Sequence, residues 1–77
     1  MEFTLQAVNG AIPCEVTVDE ENGRYMLRKE DTSGEIFNSP EELLQWVEAN
    51  WSSEKFQQPE EFQHMILSLR KYVHEEA

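Results

Sequence analysis

Cysteine, basic side chains, clustered glycines and long apolar runs are all scarce in this sequence. The lone Cys14 has no partner for an internal disulfide, so the fold must be stabilised by burial, which suits a reducing compartment. No apolar stretch approaches the roughly 18 residues that a membrane-spanning helix needs. The start of the chain carries an acid and lacks the basic segment and apolar core of a signal peptide. The sequence therefore predicts a cytoplasmic protein that makes no use of a membrane.

The shortage of basic side chains restricts the partners that this chain can bind. It has 6 Lys and Arg residues against 16 Asp and Glu residues, which gives a net charge of -10 over 77 residues. A phosphate backbone would be repelled by this charge, so direct nucleic-acid binding is not expected. The partner class that the charge favours is a basic protein.

The glycines stand alone, which excludes two kinds of binding loop. A phosphate cradle needs glycines clustered before a helix, whereas this chain places them singly in predicted turns, at Gly10, Gly23 and Gly34. A calcium loop needs glycine at its sixth position and acids at its first and twelfth. With Gly23 in sixth place, those positions hold Val18 and Lys29, so neither requirement is met.

Catalytic and zinc-binding residues are equally few. Zinc needs three or four thiolate or imidazole ligands, and the supply is Cys14, His64 and His74 with no close spacing. Cys14 alternates with Ile12 and Val16, a pattern typical of a small buried side chain in a strand. The sequence predicts no metal site, no cofactor and no catalytic dyad, and therefore no enzyme.

The first half of the chain has the alternation of β-strands separated by polar turns. We expect three or four strands over about residues 2–8, 11–18, 24–30 and 35–38. Asn9-Gly10 predicts a tight hairpin between the first two, because both residues tolerate positive φ. Pro13 lacks an N–H and predicts an edge or a bulge near the start of the second strand.

The second half has the periodicity of two helices, over about residues 40–51 and 59–75. Ser39, Pro40 and Glu42 form a helix start with a capping box. The predicted core-facing residues are Leu43, Leu44, Val47 and Trp51 on the first helix, and Phe62, Met65, Ile66, Leu69, Tyr72 and Val73 on the second. The fold class is therefore α+β, an antiparallel meander with both helices on one sheet face, in a single domain over 1–77 with no separate linker or tail.

Two apolar side chains fall outside these helical stripes and are candidate partner contacts. Trp46 projects about 115° from the first stripe and Leu67 about 155° from the second. Trp46 has two interpretations, a contact residue or a side chain folded over the edge of the core. The basic cluster of Arg24, Arg28 and Lys29 also has two, a local anion site or cross-strand pairing with acids.

The leading functional hypothesis is a non-catalytic protein-interaction or regulatory module. Its candidate contacts are the two apolar side chains and the acidic turn, namely Trp46, Leu67, Asp19, Glu20 and Glu21. The alternative is an acidic mimic of nucleic acid that inhibits a nucleic-acid-binding enzyme, which requires the acids to lie in one continuous stripe. A small enzyme or carrier protein is the least favoured hypothesis, because no catalytic dyad can be identified and a carrier is normally all-helical, unlike the hairpin-rich first half of this chain.

Overall fold

A computed structural model describes residues 1–76, with side chains over 1–75; the last residue of the predicted domain, 77, lies outside the described residues. The sheet has four antiparallel strands in the order β1-β2-β3-β4. The α+β fold predicted from the sequence is confirmed. Its elements are β1 (Glu2–Leu5), β2 (Cys14–Asp19), β3 (Arg24–Arg28), β4 (Gly34–Phe37), α1 (Pro40–Asn50), a 3-10 turn (Ser53–Lys55) and α2 (Pro59–Glu76).

The strand register divides the sheet into a core face and an open face. Val16 lies between Phe3 and Leu27, and all three point toward the helices. One residue further on, Thr17 is paired with Glu2 and with Met26, whose side chain is exposed. Because side chains alternate along each strand, the polar residues of β2 lie, with Arg24 and Arg28 of β3, on the face that the helices leave uncovered, whereas Glu35 of β4 lies on the core side with its partner Leu27.

The helices bury the stripes that the periodicity predicts. Leu43 and Val47 of α1 and Met65 and Leu69 of α2 have no exposed surface. The predicted stripe residues Tyr72 and Val73 are half-buried against the same core. α1 contacts β3 and β4 while α2 contacts β1, so the two helices lie side by side over the sheet.

Helix α1 begins with the Ser39 cap that its sequence predicts, but the capping box is incomplete, because the Glu42 carboxylate reaches the N–H of the residue before the cap and not that of Ser39. The Ser39 hydroxyl accepts a hydrogen bond from the Glu42 N–H at 3.2 Å, and the Glu42 carboxylate accepts one from the Asn38 N–H at 3.3 Å. These contacts satisfy backbone donors that a helix start otherwise leaves unpaired.

The tight hairpin predicted at Asn9-Gly10 is absent, and β1 and β2 are shorter than expected. β1 ends at Leu5, which pairs with Cys14 at the start of β2. The intervening segment 6–13 turns away and pairs with the chain after α1. The Val8 N–H donates to the Lys55 carbonyl at 2.9 Å, and Ala7 forms an isolated bridge with Phe56. This distant pairing replaces the local hairpin.

Gly10 closes a turn, in which its N–H donates to the Ala7 carbonyl at 3.4 Å, but this turn does not join β1 directly to β2 and Gly10 is not at a positive φ. Its side of the chain is instead constrained by packing. A Cβ at this position would lie 2.7 Å from the Cβ of Glu30, closer than such atoms approach each other. Ile12, which we placed on the buried face of β2, precedes the strand and is 42% exposed. Pro13 also lies before β2, so its missing N–H costs the sheet no hydrogen bond.

The remaining two turns agree with the sequence. Gly23 adopts a φ of 63° between β2 and β3, a conformation that glycine reaches without strain. Thr32 adopts a φ of 70° between β3 and β4, where a β-branched residue is strained. None of the helices within residues 1–76 has the length and apolar character that crossing a bilayer requires.

Candidate functional site

Trp46 lies at the edge of the core and belongs to a run of aromatic rings. It is half-buried, with its ring 6.3 Å from Phe37 and 5.5 Å from Trp51. The run continues from Trp51 to Phe56 at 5.5 Å. The Lys29 ammonium lies 5.4 Å from the centre of the Trp46 ring, within the range of a cation–π contact. The structure thus gives Trp46 a packing role and leaves only part of its surface available to a partner.

Leu67 lies on the outer surface of α2, away from the other candidate contacts. Its side chain is 64% exposed. It borders a depression that also contains Phe62, Ile66 and Arg70. A single exposed leucine is normal on a protein surface, so Leu67 alone does not define a binding site.

The acidic turn is part of a larger acidic surface along β1. Asp19, Glu20 and Glu21 share one hollow with Glu2. Glu2 in turn lines a second hollow with Glu60 and Glu61, at the start of α2. We call the set Glu2, Asp19, Glu20, Glu21, Glu60 and Glu61 the acidic edge. No Lys or Arg side chain lines either hollow.

Local contacts keep the turn of the acidic edge ordered and charged. The Asn22 side chain donates to Asp19 Oδ2 at 2.8 Å, and this hydrogen bond lowers the pKa of the Asp19 carboxyl. The positive groups near this carboxyl are the Met1 amine, which donates to the Val18 carbonyl at 2.7 Å, and Arg24, its partner in the β2–β3 register.

The acidic edge also exposes unpaired backbone. Met1 and Val18 exchange both backbone hydrogen bonds, so the bonded positions of β1 are alternate residues beginning at Met1. The N–H and C=O groups of Glu2 and Thr4 therefore point away from β2. In the part of the chain that the structure describes, no backbone partner meets them.

Four of the acids outside the acidic edge are paired with neighbouring bases. Carboxylates pair with ammonium or guanidinium groups in Arg28–Glu15 at 3.3 Å, Lys29–Glu35 at 3.5 Å, Lys55–Glu30 at 2.7 Å and Arg70–Glu48 at 2.5 Å. For Arg28 and Lys29 this confirms the cross-strand pairing that we weighed against an anion site. The six carboxylates of the acidic edge have no such ion pair; among the side chains that the structure describes, the same holds for Asp31, Glu41, Glu42, Glu54 and Glu75.

The one thiol is buried and unreactive. Cys14 has no exposed surface, as its alternation in the sequence predicts. Its Sγ lies 3.2 Å from Glu30 Oε2, and burial together with this contact raises the pKa of the Cys14 thiol to about 12. The thiol therefore stays protonated at neutral pH and is no nucleophile.

The most exposed apolar side chain on the sheet was not among the contacts predicted from the sequence. Ile36 of β4 is 82% exposed on the open face, beside Met26 at 38%. The alternation of β4 contains the signal. Since Phe37 packs on the core, its neighbour Ile36 must point to the opposite face.

No protein-family model, curated protein or solved structure matches this chain. Among residues 1–76, no three His, Cys, Asp or Glu side chains are grouped so that they could hold a metal ion. The distinctive features of the described surface are the acidic edge and the exposed edge of β4.

Proposed function

We propose that this chain is a non-catalytic interaction module that binds a basic segment of a partner protein at its acidic edge. The observation that carries the proposal is the gathering of six carboxylates around β1, in hollows that no Lys or Arg lines. We place this activity in the cytoplasm, because a single buried thiol suits a reducing compartment.

Electrostatic attraction would bring the partner to the acidic edge. Strand pairing would then fix the register of the bound segment against β1. A field of one sign accelerates association with an oppositely charged partner and weakens as salt is added. A basic segment in extended form could then bond to the outward backbone groups of Glu2 and Thr4, the mode by which peptides add to a sheet edge. The added strand would be short, because the Gln6 carbonyl already accepts a bond from the Gln57 N–H at 2.9 Å.

The interaction module is favoured over the nucleic-acid mimic by the pairing of four of the remaining acids with bases. A mimic needs an uninterrupted row of charges in place of phosphates. Here Glu15, Glu30, Glu35 and Glu48 each contact a base. The open face also carries Arg28, whose side chain is 56% exposed. Such interruptions weaken a phosphate-like stripe but leave the acidic edge intact.

The proposal can be tested with an octalysine peptide as the probe. The double variant Glu20→Gln/Glu21→Gln removes two charges from the acidic edge, and Glu54→Gln/Glu75→Gln removes two exposed charges from elsewhere. Two exposed ion pairs contribute about 1 kcal/mol together, so the first variant should weaken binding about fivefold. Calorimetry at two salt concentrations should also show weaker binding at the higher one.

The matched control separates a site from a general charge effect. Equal weakening by the two double variants would show that only net charge matters and would reject the acidic edge as the binding surface. Binding that does not respond to salt would reject the electrostatic basis of the proposal. Circular dichroism of each variant verifies the fold, which these exposed side chains do not support by packing.

A further inference from the structure

The outer edge of β4 is a second unpaired strand, and it differs chemically from the acidic edge. Lys29 and Ser33 are bonded partners at the β3–β4 turn, with the Lys29 N–H donating to the Ser33 carbonyl at 2.8 Å. Hydrogen bonding to β3 alternates along β4. Glu35 and Phe37 therefore bond to β3, whereas the N–H and C=O groups of Gly34 and Ile36 point outward. Over residues 1–76 nothing pairs with these outward groups.

The side chains beside this strand are apolar or mutually neutralised. Ile36 is 82% exposed and Met26, its register partner, is 38% exposed. Nearby charged side chains form salt bridges with each other, Arg28 with Glu15 and Lys29 with Glu35. We call this surface the β4 edge, defined by the backbone of Gly34 and Ile36 and the side chains of Ile36 and Met26.

We propose that the β4 edge pairs with the β4 edge of a second copy of this chain, giving a symmetric dimer with one continuous sheet. The two strands would run antiparallel, with Ile36 opposite Ile36 of the second copy. These two residues would exchange both backbone hydrogen bonds. The Gly34 N–H of each copy would donate to the Asn38 carbonyl of the other, while the Asn38 N–H keeps its bond to Glu42.

This register also buries the exposed apolar side chains. Ile36 from both copies would meet on the open face, with Met26 of each copy on the outer side. A row of four apolar side chains would then cross the centre of the joined sheet, formed by Met26 and Ile36 of one copy followed by Ile36 and Met26 of the other. Cross-strand contact between β-branched and other large apolar side chains stabilises a sheet, and it would remove the edge that a lone strand exposes to aggregation.

The distribution of charge favours a second copy over a charged partner. The charges on the sheet beside the β4 edge are paired with each other. The nearest carboxylates without an ion pair, Asp31 and Glu42, lie beyond its two ends, where they accept hydrogen bonds from Ser33 and Asn38. In the joined sheet the two β1 strands would lie at opposite ends, seven strand spacings or about 34 Å apart. That separation exceeds the screening length of about 10 Å at 0.1 M salt, so the acidic edges would barely oppose the association.

Sedimentation equilibrium of the reduced full-length chain tests the proposal. A four-residue edge gives a small interface, so the measurement should span about 10 µM to 1 mM, where weak complexes form. The molar mass should rise from 9.1 kDa toward twice that value and no further. Ile36→Lys should raise the dissociation constant at least tenfold, whereas Leu67→Lys, the same change at another exposed apolar position, should leave it unchanged.

A second variant tests strand pairing separately from apolar contact. Ile36→Pro removes an N–H that points away from β3, so it spares the existing sheet and should also raise the dissociation constant at least tenfold. A chain that stays monomeric throughout overturns the proposal, and so does growth beyond a dimer, which would indicate β1 pairing with β4 in open chains. Loss of the dimer in Leu67→Lys with retention in Ile36→Lys overturns it as well.

Discussion

The buried thiol of Cys14 should make the protein lose stability at alkaline pH. In the unfolded chain this thiol ionises near its ordinary pKa of 9.0, whereas burial and the Glu30 contact raise the folded pKa to about 12. A group whose folded pKa is raised stabilises the fold fully below its unfolded pKa. That stabilisation is lost as the pH rises between the two values, because only the unfolded chain can release the proton.

The size of the loss follows from the two pKa values. Each pH unit in this window is worth about 1.4 kcal/mol, so the free energy of unfolding should fall by about 1.4 kcal/mol by pH 10. The whole interval from 9.0 to about 12 corresponds to about 4 kcal/mol. The conversion is appropriate because the Cys14 side chain has no exposed surface.

Urea unfolding followed by tryptophan fluorescence measures this effect. Trp51 is 7% exposed and reports on the core. The comparison is between the parent chain and Cys14→Ala at pH 7, 8, 9 and 10. The variant starts from a lower stability, because it lacks the thiol and its contact with Glu30. Its decline with pH should nevertheless be shallower by about 1.4 kcal/mol at pH 10.

Other groups titrate in the same range, and the comparison removes them. The remaining side chains are identical in the two proteins, so their effects cancel in the difference between the two curves. Parallel stability curves for the parent and Cys14→Ala would refute the reasoning, since they would mean that the thiol ionises equally in the folded and unfolded chains.

Two further predictions compare matched positions. Met65 is fully buried and Leu67 is 64% exposed on the same helix. Met65→Ala should therefore lower the unfolding free energy by about 2–5 kcal/mol, and Leu67→Ala by less than about 0.5 kcal/mol. Similar losses would contradict the assigned faces of α2. Ser39→Ala removes a capping bond to Glu42 and should cost about 1 kcal/mol. Ser52 makes no such bond, so Ser52→Ala should leave the urea midpoint unchanged.

The helices were predictable because their signals are local. Ser39 and Glu42 mark the start of α1 by a capping interaction that spans three residues. Met65 and Leu69 mark the buried face of α2 by a spacing of one turn. Both helices have the expected bounds to within about one residue, the ordinary uncertainty of helix ends.

The first connection was not predictable, because its determinants are distant in sequence. Asn9-Gly10 is a strong hairpin signal, but the Val8 N–H bonds to Lys55 and Ala7 bridges Phe56. The local turn preference was overridden by pairing with a segment more than forty residues away. Gly10 is explained by its contact with Glu30, which no local pattern reveals.

The candidate surfaces were predictable only in part. The acidic turn was identified because its acids are consecutive, but the position of Glu60 and Glu61 beside Glu2 depends on where α2 lies over β1. The sequence allowed two roles for Trp46, packing on the core or contact with a partner, because this residue lies at the border of its helical stripe. The rings nearest to it are Trp51, directly after α1, and Phe37 of β4, whose position depends on how α1 packs on the sheet.

The opposite characters of the two sheet edges have a joint consequence for binding. A dimer formed through β4 would place one acidic edge at each end of the joined sheet, so a partner with two basic segments could engage both. The second contact would then be intramolecular, and the apparent affinity would exceed that of a single contact. For such a partner, Ile36→Lys should weaken binding although it lies on the strand farthest from β1. For a single octalysine segment at low protein concentration, the same variant should bind nearly as well as the parent. A loss of the same size with both ligands would show that Ile36 acts on the acidic edge itself, and that the two edges are not independent.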